Sequence, residues 1–142
     1  MSRERHARSS ADILGRRHAG ADGSHRIWTV SLADDAEAQV SHGPGDEFWP
    51  SWAPDGSRIA FVRTESVGHL VVVDAAGREE TQLEPAVLGG VPNVWSPDGT
   101  RLLSFTWGDL APIILDPTNA VPPTTLPATS SWQTGSWQRL AP

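Results

Sequence analysis

The heptapeptide WAPDGSR at residues 52–58 returns 43 residues later as WSPDGTR at 95–101, with five of its seven positions identical. The likeness runs outward from both copies. The apolar run Leu70, Val71, Val72, Val73 before Asp74 returns as Pro112, Ile113, Ile114, Leu115 before Asp116, and Thr81-Gln82-Leu83 returns as Thr124-Thr125-Leu126. Partial copies flank the two full ones. Ile27-Trp28-Thr29-Val30 and Gln39-Val40 lie 43 residues ahead of 70–73 and 82–83, and Ser136-Trp137 lies 42 residues beyond Val94-Trp95. A period of this length, held over several pieces, marks a repeated supersecondary unit and not one recurring turn.

Within each unit the apolar pieces are short, rich in Val, Ile, Leu, Trp and Phe, and bounded by turn formers, which is the pattern of strands. Four strands are expected per unit, near 48–52, 58–64, 70–74 and 81–83 in the first and 91–95, 101–107, 111–116 and 124–126 in the second. Four antiparallel strands every 40 to 45 residues describe a β-propeller blade. The Pro-Asp-Gly of each heptapeptide then reads as the hairpin between the first and second strands. Pro54 and Pro97 preset φ for the second turn position, Asp55 and Asp98 follow, and Gly56 and Gly99 supply a positive φ. Trp52 and Trp95 end the inner strand, where a tryptophan wedged between neighbouring blades contributes about 2 to 3 kcal/mol of burial.

At these residues the sequence resembles the TolB-type propeller repeat, a WD-like repeat built on W-S-P-D-G. WAPDGSRIAFVRT and WSPDGTRLLSFTW carry the resemblance, which extends over about residues 27–138. It implies an all-β toroid, usually of six blades and without chemistry of its own. Such domains serve a periplasmic component of the Tol envelope system, which contacts the peptidoglycan-associated lipoprotein, and gate substrates in prolyl-oligopeptidase-like serine peptidases. The sequence departs from the pattern in extent: it holds a half blade at 27–41, full blades at 48–84 and 91–127, and the start of a closing strand at 134–138. The expected fold is therefore a partial propeller, an arc and not a ring. An open arc leaves two apolar faces in water, and a few hundred Å² on each forgoes on the order of 10 kcal/mol. The readings that remove this cost are a longer parent propeller, a truncated gene product, or self-association through the open blade faces.

Composition narrows the function. The chain of 142 residues has 13 Gly and 12 Pro, which bar long helices, and no Cys, which removes disulfides, thiolate nucleophiles and zinc ribbons. Residues 1–26 hold six Arg against three acids and read as a disordered arm or a blade remnant. Residues 27–142 hold five Arg against fourteen acids, a surface that does not invite nucleic acid. No apolar run approaches the roughly 20 residues of a membrane span, and no apolar core follows the charged N-terminus as a secretory signal requires. As written the chain reads as cytoplasmic, whereas the resembled family is often periplasmic or secreted.

No G-x-S-x-G is present, Gly135-Ser136-Trp137 being the nearest fragment, and it falls on an inner strand of the repeat. His6, His18, His25, His42 and His69 fall into no metal-ligand spacing, and the acidic pairs Asp34-Asp35, Asp46-Glu47 and Glu79-Glu80 read as solvated turns. No cofactor, metal or catalytic residue is assigned. Trp28, Trp49, Trp107 and Trp132 are the candidate recognition aromatics, with Trp107 and Trp132, beside turns, preferred for partner binding. The expectation is a non-catalytic module that holds a protein or peptide partner. The alternatives are the propeller of a prolyl-oligopeptidase-like hydrolase whose catalytic domain lies elsewhere, or a remnant without independent function.

Overall fold

A computed structural model describes residues 22–87 and 93–127. Ten strands occur among them: β1 (Trp28–Val30), β2 (Glu37–Gln39), β3 (Asp46–Trp52), β4 (Arg58–Thr64), β5 (Gly68–Asp74), β6 (Glu80–Val87), β7 (Val94–Trp95), β8 (Leu102–Phe105), β9 (Pro112–Leu115) and β10 (Thr124–Thr125). They form a two-stranded sheet β1-β2 and two four-stranded sheets, β3-β4-β5-β6 and β7-β8-β9-β10, every pairing antiparallel between strands consecutive in sequence. These are the half blade and the two full blades of the repeat. The strand ends shift where turns intervene. β8 stops at Phe105 because Thr106 opens a turn, its one ladder contact being a bridge to Val87 of the preceding blade.

The middle strands read as continuous apolar runs because both of their faces are buried. On β4 and β5, Ile59, Phe61, Val71 and Val73 pack with Ile27 and Val40 of the half blade, and Trp52 lies against this cluster. The alternate residues Ala60, Val62, Leu70 and Val72 face the other way, into a cluster with Ala53, Leu83, Val87 and, from the second blade, Trp95, Leu102, Ile113 and Leu115. Period-two alternation thus assigns one set of side chains to each neighbouring blade. Both expected tryptophans end an inner strand and lie in a seam.

The inner strand β3 carries a bulge. Phe48 pairs with Val62 and Ser51 with Ala60, so β3 uses one residue more than β4 over this stretch. Trp49 sits in it with φ of 57°, an unusual conformation for a bulky side chain, and is 45% exposed. The bulge rotates the indole out of the seam.

The first seam also holds a buried ionic cluster. Glu47 on β3 lies directly across from Arg63 on β4, and both are buried. Arg63 Nη2 donates to Glu47 Oε1 at 2.7 Å and to Glu80 Oε2 at 2.9 Å, while Ser41 Oγ donates to Glu47 Oε2. The Ser41 hydroxyl in turn accepts from the Ile27 amide at 2.8 Å. The linker crosses the guanidinium so closely that a Cβ on Gly43 would lie 2.0 Å from Arg63 Cζ, so a side chain there would displace the guanidinium from its carboxylates. Hydrogen bonds from Arg63 to Glu80 hold that carboxyl below its ordinary range, and the bonds to Glu80 and Glu47 raise the guanidinium pKa. Glu47 is thus part of a seam and not a solvated turn residue, whereas Glu80, exposed on β6, pairs with Arg63 from the edge. The sequence pattern hid this because a Glu between Asp46 and Phe48 reads as strand-edge polarity.

Removing one member of such a cluster leaves a buried charge uncompensated, at about 3 to 5 kcal/mol, whereas removing both charges with apolar residues is far milder. Arg63→Leu should lower the urea midpoint strongly, and Glu47→Leu added to it should recover much of the loss. A double variant less stable than Arg63→Leu alone would contradict this account of the seam.

Candidate functional site

The two ends of the blades differ in what they present. At one end lie the Pro-Asp-Gly hairpins. The Gly56 amide bonds to the Ala53 carbonyl at 2.9 Å and the Gly99 amide to that of Ser96 at 2.9 Å, closing each turn, with φ of 72° at Gly56 and 71° at Gly99. Asp55 Oδ1 accepts from the Ser57 amide and hydroxyl at 2.9 and 2.7 Å. Asp98 Oδ1 accepts from Ser96 Oγ at 2.6 Å, the Thr100 amide at 3.0 Å and Thr100 Oγ1 at 2.8 Å. The two turns share this geometry, each aspartate accepting hydrogen bonds from residues of its own hairpin.

The turns of adjacent blades are tied together by Arg58. Its Nη2 donates to the Gly99 carbonyl at 3.1 Å, and its guanidinium lies 5.1 Å from the centroid of the Trp95 ring. Trp95 Nε1 donates back to the Ser51 carbonyl at 2.9 Å, and Asn93 Nδ2 to the Trp49 carbonyl at 3.0 Å. Trp52 lies in the first seam and Trp95 in the second, while Pro54, Asp55, Gly56, Pro97, Asp98 and Gly99 form the two hairpins at this end of the blades.

At the opposite end, the loop 106–111 between β8 and β9 projects outward. Its base is fixed: the Trp107 amide donates to the Ala86 carbonyl at 3.2 Å, the Ala111 amide to Thr106 Oγ1 at 3.0 Å, and Thr106 Oγ1 to Asp109 Oδ1. Its tip exposes apolar groups. Trp107 is 55% exposed and Leu110 43%, the latter with φ of 57°. A left-handed leucine is costly unless the turn dictates it, and here the fixed base holds the side chain outward. Trp107 was singled out by the sequence. Leu110 was not, since nothing in a lone Leu after Gly-Asp signals exposure. Trp28 is half-buried, Trp49 is exposed beside the seam, and Trp132 and Trp137 lie outside the described residues.

Among the described residues no three His, Asp or Glu side chains are grouped to hold a metal ion, and no helix is long and apolar enough to cross a membrane. His25 Nδ1 approaches Asp46 Oδ1 at 3.0 Å, but Asp46 also accepts the His25 backbone amide at 2.8 Å, so this pair ties the half blade to β3.

Four-stranded antiparallel sheets, stacked in sequence order through a tryptophan at the end of each inner strand, define a β-propeller arc. The chain is a TolB-like β-propeller repeat protein. TolB of the Tol-Pal system in Alcanivorax borkumensis is 32% identical over 100 residues, which cover 68% of this chain and 20% of that protein. The uncharacterized peptidase YuxL of Bacillus subtilis is 29% identical over 79 residues, 54% of this chain and 12% of that one. A solved structure from Agrobacterium tumefaciens described as a TolB superposes with a TM-score of 0.56 at 18% identity, over 71% of this chain and 40% of that chain. No protein-family model matches the chain. The chain spans a fifth or less of the length of these two curated relatives.

The turn aspartates make the fold sensitive to acid. The bond from Ser96, then those from Thr100, hold the Asp98 carboxyl down at about 2 against an ordinary 3.8; the Ser57 amide and hydroxyl lower Asp55 likewise. A carboxyl whose folded pKa is depressed stabilises the fold above its unfolded value and loses that contribution as pH falls through the folded one. The urea midpoint should fall between about pH 4 and about pH 2, and Asp98→Asn should flatten that slope, lowering the midpoint more at neutral pH than at about pH 2. An unchanged slope in Asp98→Asn would remove Asp98 from this role.

Proposed function

We propose that the chain is a non-catalytic interaction module that holds a protein partner at the loop end of its blades, with Trp107 and Leu110 as the apolar anchor. The supporting observation is the hairpin 106–111, which keeps a tryptophan and a leucine exposed on a base pinned to the neighbouring blade. Rigid aromatic anchors on fixed loops are where binding energy concentrates, because little side-chain entropy is lost on docking. Asp109 between them, and the acidic balance of residues 27–142, favour a partner with basic groups at the rim. The relative from a Tol-Pal system supports a protein as the partner class.

A second reading rests on the likeness to the peptidase YuxL: the blades belong to the propeller of a serine peptidase, where the same loop end would face a catalytic domain. This chain contains no G-x-S-x-G, so the nucleophile would stand in another domain. A nucleophile-elbow sequence in the same reading frame would favour this reading over the first.

Titration of the chain with a purified Pal-type lipoprotein domain tests the first reading. Binding should weaken by about 2 kcal/mol, roughly 30-fold in Kd, in Trp107→Ala, with the urea midpoint of the variant nearly unchanged. Equal affinity in Trp107→Ala, or no binding by the parent chain, would overturn it.

A further inference from the structure

At the hairpin end of the first blade, a row of charge crosses the sheet without neutralising itself. Arg58 on β4 lies directly across the ladder from Asp74 at the end of β5, and the Asp74 amide bonds to the Glu79 carbonyl at 3.1 Å. The three residues therefore stand side by side, roughly 5 Å from one chain segment to the next. Opposite charges in such a register ordinarily meet, yet no ion pair joins Arg58 to Asp74. The guanidinium is drawn aside to the Gly99 carbonyl, through Nη2, and to the Trp95 ring, while its Nε and Nη1 meet no acceptor among the described residues. Asp74 Oδ1 accepts from the Ala76 and Arg78 amides at 3.0 and 2.9 Å, and among the described residues Oδ2 accepts nothing. One repeat later, Asp116 uses both oxygens on its own turn: Oδ1 accepts from the Thr118 amide and hydroxyl and Oδ2 from the Val121 amide. The spare oxygen distinguishes the first blade from the second.

A cleft of about 200 Å³ opens over this row, between the first blade and the β9–β10 turn of the second. Arg58 lines one side, Asp74 and the exposed Glu79 the other, and Val72, Thr81 and Pro117 complete the walls. Sites for drug-sized ligands run to roughly 300 to 1,000 Å³, so an occupant here is smaller. Its charge is constrained as well. A plain cation would meet the guanidinium and a plain anion the two carboxylates, whereas a molecule with both charges a few bonds apart is attracted at each end. We propose that the cleft binds an α-amino acid with a small apolar side chain. Its carboxylate takes the unused N–H groups of Arg58, its ammonium lies between Asp74 Oδ2 and the Glu79 carboxylate, and its side chain rests on Val72 and Pro117. The site stands at the opposite end of the blades from Trp107, so it is independent of a partner held there.

An NMR titration of the full ¹⁵N-labelled chain with L-valine tests this. Shifts should be confined to the amides of 74–81 and 116–118 and saturate with a Kd near about 1 mM. L-Valinamide, which lacks the carboxylate, and N-acetyl-L-valine, which lacks the ammonium, should each bind roughly tenfold more weakly or worse. Valine should lose as much affinity for Asp74→Asn, whose amide oxygen still accepts from Ala76 and Arg78. Arg58→Gln removes the other pole but also loosens the contact with Trp95, so Glu79→Gln, on the exposed rim, is the second variant and should weaken binding too. Valinamide binding as tightly as valine would make the cleft an anchor for cations alone and overturn the proposal. So would the absence of shifts at these amides, or an unchanged affinity in Asp74→Asn and Glu79→Gln.

Discussion

One tryptophan per blade, placed where the inner strand ends and its hairpin begins, is the contact on which the remaining structure depends. Two packed sheets lie roughly 10 Å apart, and an indole is among the few side chains large enough to fill that gap from one side. Trp95 also uses its polar edge: its Nε1 satisfies the Ser51 carbonyl on the preceding blade, and Arg58 from that blade covers its ring. A leucine in its place would fill less of the gap and leave the carbonyl without this donor. The hairpin that follows has to be tight, because the next strand must return beside the first without lifting the indole from the seam. Pro97, Asp98 and Gly99 meet that demand, and Pro54, Asp55 and Gly56 do so one blade earlier.

The seams are alike in plan and different in chemistry. The upstream seam has Phe61, Ile59, Val71 and Val73 together with the buried Glu47–Arg63 pair, joined by the exposed Glu80, whereas one repeat later Ser104 stands at the position of Phe61 and Thr106 at that of Arg63. Ser104 is buried with its hydroxyl unpaired, and Thr106 has been recruited to pin the exposed hairpin. Divergence at these two positions exchanges seam ionic bonding for a rigid loop that displays Trp107. The functional candidate is thus a local departure from the repeat, carried by a blade whose tryptophan, turn and apolar faces keep to it.

The all-β class and the four-stranded antiparallel blades were legible in the sequence because they repeat, and repetition converts a weak strand signal into a register. Trp107 could be marked as an aromatic beside a turn since it follows a strand and precedes Gly-Asp, and it is exposed. The buried ion cluster was not legible: Glu47 and Arg63 are sixteen residues apart and meet only once β3 and β4 pair, and their charges alone favour solvent. The outward turn of Trp49 depends on a bulge that inserts one residue into β3, which no local pattern announces. Leu110 likewise owes its exposure to the fixed base of its hairpin and not to its neighbours in sequence.

Hydrogen exchange at the Trp95 indole N–H tests the central claim most directly, since that proton lies in the bond joining the two full blades. If the tryptophan seam holds the arc together, the indole proton exchanges slowly and with the same opening free energy as the amides of β4, β5, β8 and β9. Rapid exchange of the indole while those amides stay protected would show blades that stand independently, and would contradict the account.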